Sequence, residues 1–167
     1  MGAFLAREAS PLKSEQWEVI DKAVVETARG FLVGRRILPI FGPLGAGTEM
    51  VPLDVVEDAT PAGIGFSAAG DVAVITTGRR RFLQLPTIYK EFVIDWRELE
   101  AQEKLGFPFD VSKAATAAMY CARSEDELIF NGSTSLGIEG ILTVNGRHRI
   151  KVGDWSASGE AYANVVA

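Results

Sequence analysis

Between positions 49 and 96 the chain turns almost wholly to strand-like runs, and these supply too few residues for a core of their own. Met50-Val51-Pro52-Leu53-Asp54-Val55-Val56 opens the region. Gly63 to Ala69, Asp71 to Thr77 and Arg79 to Leu85 follow, punctuated by Gly, Pro and Ala-Gly. Thr87 to Trp96 reads as one more strand, ten residues long, which at about 3.3 Å per residue reaches roughly 33 Å. A long hairpin of this kind is marginal alone and leaves unpaired edges. It therefore packs on its own domain or reaches onto a neighbour, and composition leaves both open. The basic run Gly78-Arg79-Arg80-Arg81 lies on it. It serves either as a solvated or salt-bridged edge that blocks unwanted strand pairing, or as a docking point for acidic residues of an adjacent subunit.

Helical patterns flank this region. Ser14 suits an N-cap, and Trp17, Ile20, Val24, Ala28 and Phe31 recur at helical spacing up to about Leu32, with Gly34 as the stop. Arg35 to Phe41 reads as a strand, confined to an edge by Pro39, which has no N–H to donate. Gly42-Pro43-Leu44-Gly45-Ala46-Gly47 predicts a tight turn with positive φ. Thr48-Glu49 follows it where a phosphate-binding loop needs Lys-Ser/Thr. Asp110 or Ser112 caps a second helix from about Lys113 to Phe130, with Ala115, Ala118, Met119, Ala122 and Ile129 on its buried side and Asn131-Gly132 as an αL ending. Asn145-Gly146, between Ile141–Val144 and Arg147–Lys151, predicts a type I′ hairpin. A third helix starts near Ser156 or Ser158, carries Tyr162, Val165 and Val166, and has only begun at Ala167.

Composition narrows the function classes. The chain has 167 residues, 47% apolar and 23% charged, enough for one domain or one domain plus an arm. Its net charge of −5 argues against a nucleic-acid coat, which carries a basic face. The single cysteine, Cys121, forms no internal disulfide and fits a reducing cytosol. No apolar run approaches the length of a membrane span, and Met1 to Ser10 lacks the apolar stretch of a signal peptide. Cys121 and His148 offer one pairing for a nucleophilic enzyme. Cys121, however, sits among Met119 and Ala122 like a buried inert thiol, and His148 sits between Arg147 and Arg149 in the predicted hairpin. No HExxH, CxxC pair or Walker motif occurs.

Several motifs share an order along the chain. Leu12, Trp17, Ile20 and Asp21 form a Leu-x-x-x-x-Trp-x-x-Ile-Asp run. Gly34-Arg35-Arg36 leads to Gly42-Pro43-Leu44-Gly45, and Val51-Pro52-Leu53 enters the strand-rich region. Phe92-Val93-Ile94-Asp95 with Glu98-Leu99-Glu100 leaves it, and Glu125-Asp126 through Gly137-Ile138-Glu139-Gly140-Ile141 follows. In this order they resemble the shell protein of encapsulin nanocompartments, the linocin-type family that shares the fold of tailed-phage major capsid proteins.

The resemblance implies an α+β, phage major-capsid-like fold with an N-terminal helix, a peripheral domain with a long spine helix, and an extended β-hairpin loop. Residues 1–47 would be the N-terminal arm, helix and first strand, 48–96 the extended loop, and 97–167 the peripheral domain, ending before the axial domain. It implies no enzyme, no metal and no resident cofactor. Instead the chain would self-assemble into a cytoplasmic icosahedral shell enclosing a cargo enzyme, which docks through a C-terminal targeting peptide. Trp17, Ile20, Val24, Arg35 and Ile37 would lie at that docking surface. Arg79, Arg80, Arg81, Phe82, Leu85 and Tyr89 would serve the inter-subunit loop. Pro39 stands where relatives often place an acidic residue, so an acidic partner for Arg35 is not expected there. Family chains are longer, so the resemblance implies either a fragment or split subunit whose axial domain a second chain supplies, or a truncated lineage with altered assembly. The alternatives are a prophage capsid protein of the same fold, and a flavin-bearing shell using Trp96 or Tyr89.

Overall fold

In the computed structural model, residues 7–57, 62, 64, 66 and 75–166 are described, and the chain divides into two units, Met1–Glu127 and Leu128–Ala167. The predicted strands at Gly63–Ala69 and Asp71–Thr77 fall largely outside the described residues.

The first helix, α1 (Ser14–Phe31), buries Gln16 and Ile20. Lys13, not Ser14, holds the cap position, and Gln16 Oε1 accepts the Lys13 N–H at 2.8 Å. Helix ends leave backbone groups unpaired, and at the C-terminus Arg36 fills the need by donating to the carbonyls of Arg29 and Gly30 at 2.7 and 2.9 Å. A single turn before the helix, Arg7–Ala9, folds back on it. Arg7 donates to both carboxylate oxygens of Asp21 at 2.7 and 2.8 Å and lies 4.6 Å from the Trp17 ring centre.

Two of the predicted strands are not strands. Gly34 does not stop α1; it opens a short helix, α2 (Gly34–Ile37), inside the span read as Arg35–Phe41. The cause lies 92 to 93 residues away: Asp126 accepts the Val33 and Gly34 N–H groups, each at 2.9 Å, capping a helical turn there. Thr87–Trp96 pairs with no strand among the described residues, and Asp95 caps a further helix, α3 (Trp96–Leu105), by accepting the Arg97 N–H at 2.9 Å. Trp96, Glu98, Leu99 and Glu100 are therefore helical.

The strands β1 (Met50–Glu57) and β2 (Thr76–Gln84) pair antiparallel, from Met50 opposite Gln84 to Glu57 opposite Thr76, with an irregularity between Val55 and Val56. The turn before β1 has the expected positive φ, 93° at Gly45.

The spine of the first unit is α4 (Ser112–Asn131), whose first turn is anchored where Asp110 accepts the Ser112 N–H at 2.8 Å. Its buried residues are Ala114, Ala117, Ala118 and Ala122, a stripe rotated by one position from the predicted one at its start. With Ile20 they are the buried apolar core among the described residues, and no large side chain is fully buried. A buried methyl contributes about 0.8 kcal/mol, so a floor of alanines holds far less than a leucine core would. Polar ties add to it. Lys13 reaches Glu103 at 2.6 Å, Gln16 bonds Gln102, and Lys113 pairs with Glu98, linking α1 and α4 to α3.

The second unit begins inside α4's last turn. A short antiparallel pair, β3 (Gly132–Ser133) with β4 (Ile138–Glu139), brings the chain back over the helix end. Ile141 and Leu142 donate to the carbonyls of Ile129 and Phe130 at 2.9 and 2.8 Å, and Thr143 Oγ1 donates to that of Asn131 at 3.0 Å. The predicted hairpin at Asn145-Gly146 does not form among the described residues. Its first strand has spent its donors on α4, and Arg147 occupies the Thr143 and Val144 carbonyls. A last helix, α5 (Glu160–Val166), leaves Tyr162, Val165 and Val166 exposed. The architecture is α+β.

Candidate functional site

A groove of about 340 Å³ lies along the first unit. Its floor is the alanine stripe of α4 with Cys121, one wall is Val24, Ala28 and Leu32 of α1, and the other is Ile88, Lys90 and Phe92 of the segment after β2. Small floor residues create the depth: alanine at helical spacing lets larger side chains stand around an open channel. Arg35 and Glu125 line it as well. They form a two-pronged ion pair, Nε to Oε1 at 2.5 Å and Nη2 to Oε2 at 2.8 Å, and the Glu125 hydrogen bond holds the Arg35 guanidinium protonated more strongly than usual. Adjacent carboxylates on α4 thus do two jobs: Glu125 fixes the Arg35 side chain, and Asp126 fixes the backbone that carries it.

The five residues expected at a docking surface separate here. Val24 and Arg35 line the groove. Ile20 is 4% exposed and belongs to the core. Trp17 is half-buried beneath Arg7, with its indole N–H buried and unpaired among the described residues. Ile37, 61% exposed at the end of α2, lies outside the groove lining. Glu125, Ile88 and Phe92 also line the groove. The pairing of Arg35 with an acidic residue is met from α4 rather than from position 39, a link that no local spacing reveals.

On the ribbon, Arg80 sits opposite Asp54 and bonds it at 2.6 and 3.1 Å, which holds the Asp54 carboxyl below its ordinary range. At least this member of the basic run is salt-bridged within the chain. Phe82, Leu85 and Tyr89 are exposed, and Trp96 is exposed under the Arg97 guanidinium. Among the described residues no three His, Cys, Asp or Glu side chains gather as metal ligands, and no helix is long and apolar enough to cross a membrane.

Residues 1–167 match the family described as the encapsulating protein for peroxidase (Linocin_M18). The chain is 43% identical over 166 residues to the type 1 encapsulin shell protein EncA of Myxococcus xanthus, covering 99% of this chain and 58% of that one. It is 39% identical over 155 residues to a diheme-cytochrome-encapsulin shell fusion protein of Kuenenia stuttgartiensis, covering 93% and 42%. With a type 1 encapsulin shell protein of Rhodospirillum rubrum the identity is 28% over 146 residues, covering 87% and 51%. The chain spans about half the length of the curated relatives it matches.

Proposed function

The chain belongs to the encapsulating-protein family, and from that premise we propose that it is a structural shell subunit that assembles with copies of itself into a closed compartment around a cargo protein. The supporting observation is surface. Most of its large apolar side chains, from Ile40 and Phe41 to Phe82 and Tyr162, stand in water. Exposed apolar surface on this scale marks interaction sites. In this reading neighbouring copies, together with the remainder of a family-length subunit, cover that surface.

In this reading the shell has the capsid-like fold and sits in the cytoplasm, with residues 48–96 as the extended loop between subunits. The ribbon carries exposed Leu53 and Phe82 for that contact. The groove beside α4 receives the targeting segment of the cargo, a peroxidase by the family's description; its apolar walls take aliphatic side chains and its Arg35–Glu125 pair gives register. Catalysis belongs to the cargo.

Light scattering on a sizing column, with the chain co-expressed beside its neighbouring genes, tests this. Megadalton particles that carry a second protein and no nucleic acid support the cargo shell. Particles filled with nucleic acid would indicate a capsid, and a small species of one or two chains would refute self-assembly.

A further inference from the structure

Two kinds of contact hold Arg7 at once. It donates to both Asp21 oxygens at 2.7 and 2.8 Å, and its guanidinium lies 4.6 Å from the Trp17 ring centre. A carboxylate beside an aromatic face suits a guanidinium better than an ammonium, because the planar fork takes both oxygens while its flat face meets the ring. Holder and held differ in rigidity. Trp17 and Asp21 stand one turn apart on α1, an 18-residue helix tied to α3 through Lys13 and Gln16. Arg7 belongs to a three-residue turn that buries none of its own residues. Both side chains of the ion pair are about half exposed, so water competes for it. The cradle is firm and its occupant is loose. Its place on α1 also matters. Trp17, Asp21, Val24 and Ala28 recur at intervals of four, three and four residues, which sets them along one helix face. Val24 and Ala28 are the α1 wall of the groove. At 1.5 Å per residue, Asp21 lies about 4.5 Å and Trp17 about 10 Å from Val24 along the axis.

We propose that Trp17 and Asp21 form a guanidinium-binding subsite beside the groove, that Arg7 occupies it as a resident pseudo-ligand, and that an arginine side chain of the docked segment replaces Arg7 there. This rests on the docking reading of the groove. An extended segment advances about 3.3 Å per residue, so its arginine stands two or three residues from the aliphatic side chain seated beside Val24. Exchanging one guanidinium for another keeps the bonds that Asp21 accepts and the contact with the Trp17 ring. The exchange is therefore close to neutral at the cradle, and the apolar contacts in the groove decide it. A tethered competitor has an effective concentration of the order of millimolar. A lone arginine on another protein loses to it, whereas an arginine joined to side chains that fill the groove wins. Arg7 thus makes docking depend on both features together, which is selection against partial matches.

The test titrates the 167-residue chain into a fluorescein-labelled peptide, Arg-Gly-Leu-Ala-Leu-Gly-Arg, and reads anisotropy. A second peptide carries citrulline, neutral and of the same shape, in place of both arginines. Arg7→Ala should tighten the arginine peptide about five-fold or more, since no tethered competitor remains, and leave the citrulline peptide unchanged. Arg7→Lys keeps the charge but loses the fork, and should fall between the unsubstituted chain and Arg7→Ala. Asp21→Asn should erase the preference for arginine over citrulline. Far-UV circular dichroism verifies the helices of each variant. Unchanged or weaker binding of the arginine peptide to Arg7→Ala would overturn the proposal. So would equal affinity of that variant for the two peptides, or no binding of either. Ala118→Leu separates this from the groove reading. If it leaves the arginine peptide's affinity unchanged while Asp21→Asn lowers it, the guanidinium site is upheld and the docking reading of the groove fails.

Discussion

One helix is held in two unlike ways. Toward its N-terminal half, α4 offers methyl groups and ion pairs to its surroundings and leaves a channel open beside itself. At its C-terminal end, carbonyls of its last turn are bonded by returning backbone, and Gly132 and Gly140 cross so closely that neither has room for a side chain. Contacts among side chains tolerate gaps and can exchange one partner for another. Backbone contacts at this distance cannot. The difference separates the region suited to receiving a ligand from the region that sets where the following chain goes.

The largest effect should come from breaking the backbone lock. A Cβ at Gly140 would meet the Gly132 nitrogen and the Phe130 carbonyl oxygen at under 3.0 Å, with nothing flexible to yield. Gly140→Ala should therefore destabilise by about 3 kcal/mol or more in urea unfolding. Gly137→Ala provides the contrast, since it has positive φ but open space around it; it should cost only about 1–2 kcal/mol. Equal losses in the two variants would mean that the crossing is not the constraint.

Filling the channel attacks the other end. Ala118→Leu puts a larger side chain onto the groove floor. Overpacking of this kind costs about 1–3 kcal/mol, yet docking of a cargo targeting segment should fall at least ten-fold while particles still form. Unchanged cargo content per particle would remove the groove from the docking reading.

Much of this helix was legible in the sequence. Its bounds, its loose alanine-rich face and the Asn131-Gly132 ending all follow from local spacing and propensity. So do α1 and the pairing of β1 with a later strand. What stayed hidden depends on residues far apart. Asp126 turns a strand-like Arg-Arg-Ile-Leu into a helical turn by capping Gly34. The Asn145-Gly146 hairpin fails because Ile141 and Leu142 donate elsewhere. Of the groove's lining, Val24 and Arg35 were marked only through the family resemblance, and Glu125 only as part of a motif. Local rules rank alternatives by short-range cost, and one distant carboxylate of about 1 kcal/mol suffices to reverse a close ranking.

That rank can be measured. Asp126→Ala removes the acceptor of two backbone N–H groups and should cost about 1 kcal/mol. Glu125→Gln, which keeps one acceptor for Arg35, should cost less. A larger loss from Glu125→Gln would show that the side-chain clasp, not the backbone cap, sets the α1–α2 turn.

The smallest effect sharpens the contrast by pH, because side-chain clasps titrate and a backbone crossing does not. The Arg7 hydrogen bond holds the Asp21 carboxyl below its ordinary value of 3.8, so the folded chain binds fewer protons than the unfolded one as the acid range is entered. The stabilisation is complete well above pH 3.8, shrinks as the pH falls through that value, and is gone once the folded carboxyl is protonated as well. Both partners are about half exposed, and water and salt screen the pair, leaving a small effect. Asp21→Asn should therefore lower stability slightly at pH 7, match the unsubstituted chain once acid protonates the folded carboxyl, and abolish this part of the salt dependence. The cost of Gly140→Ala should stay constant over the same range. If that cost instead declined with acid alongside the Asp21 increment, the returning backbone would depend on titrating side chains, and the two ends of α4 would not be held by different means.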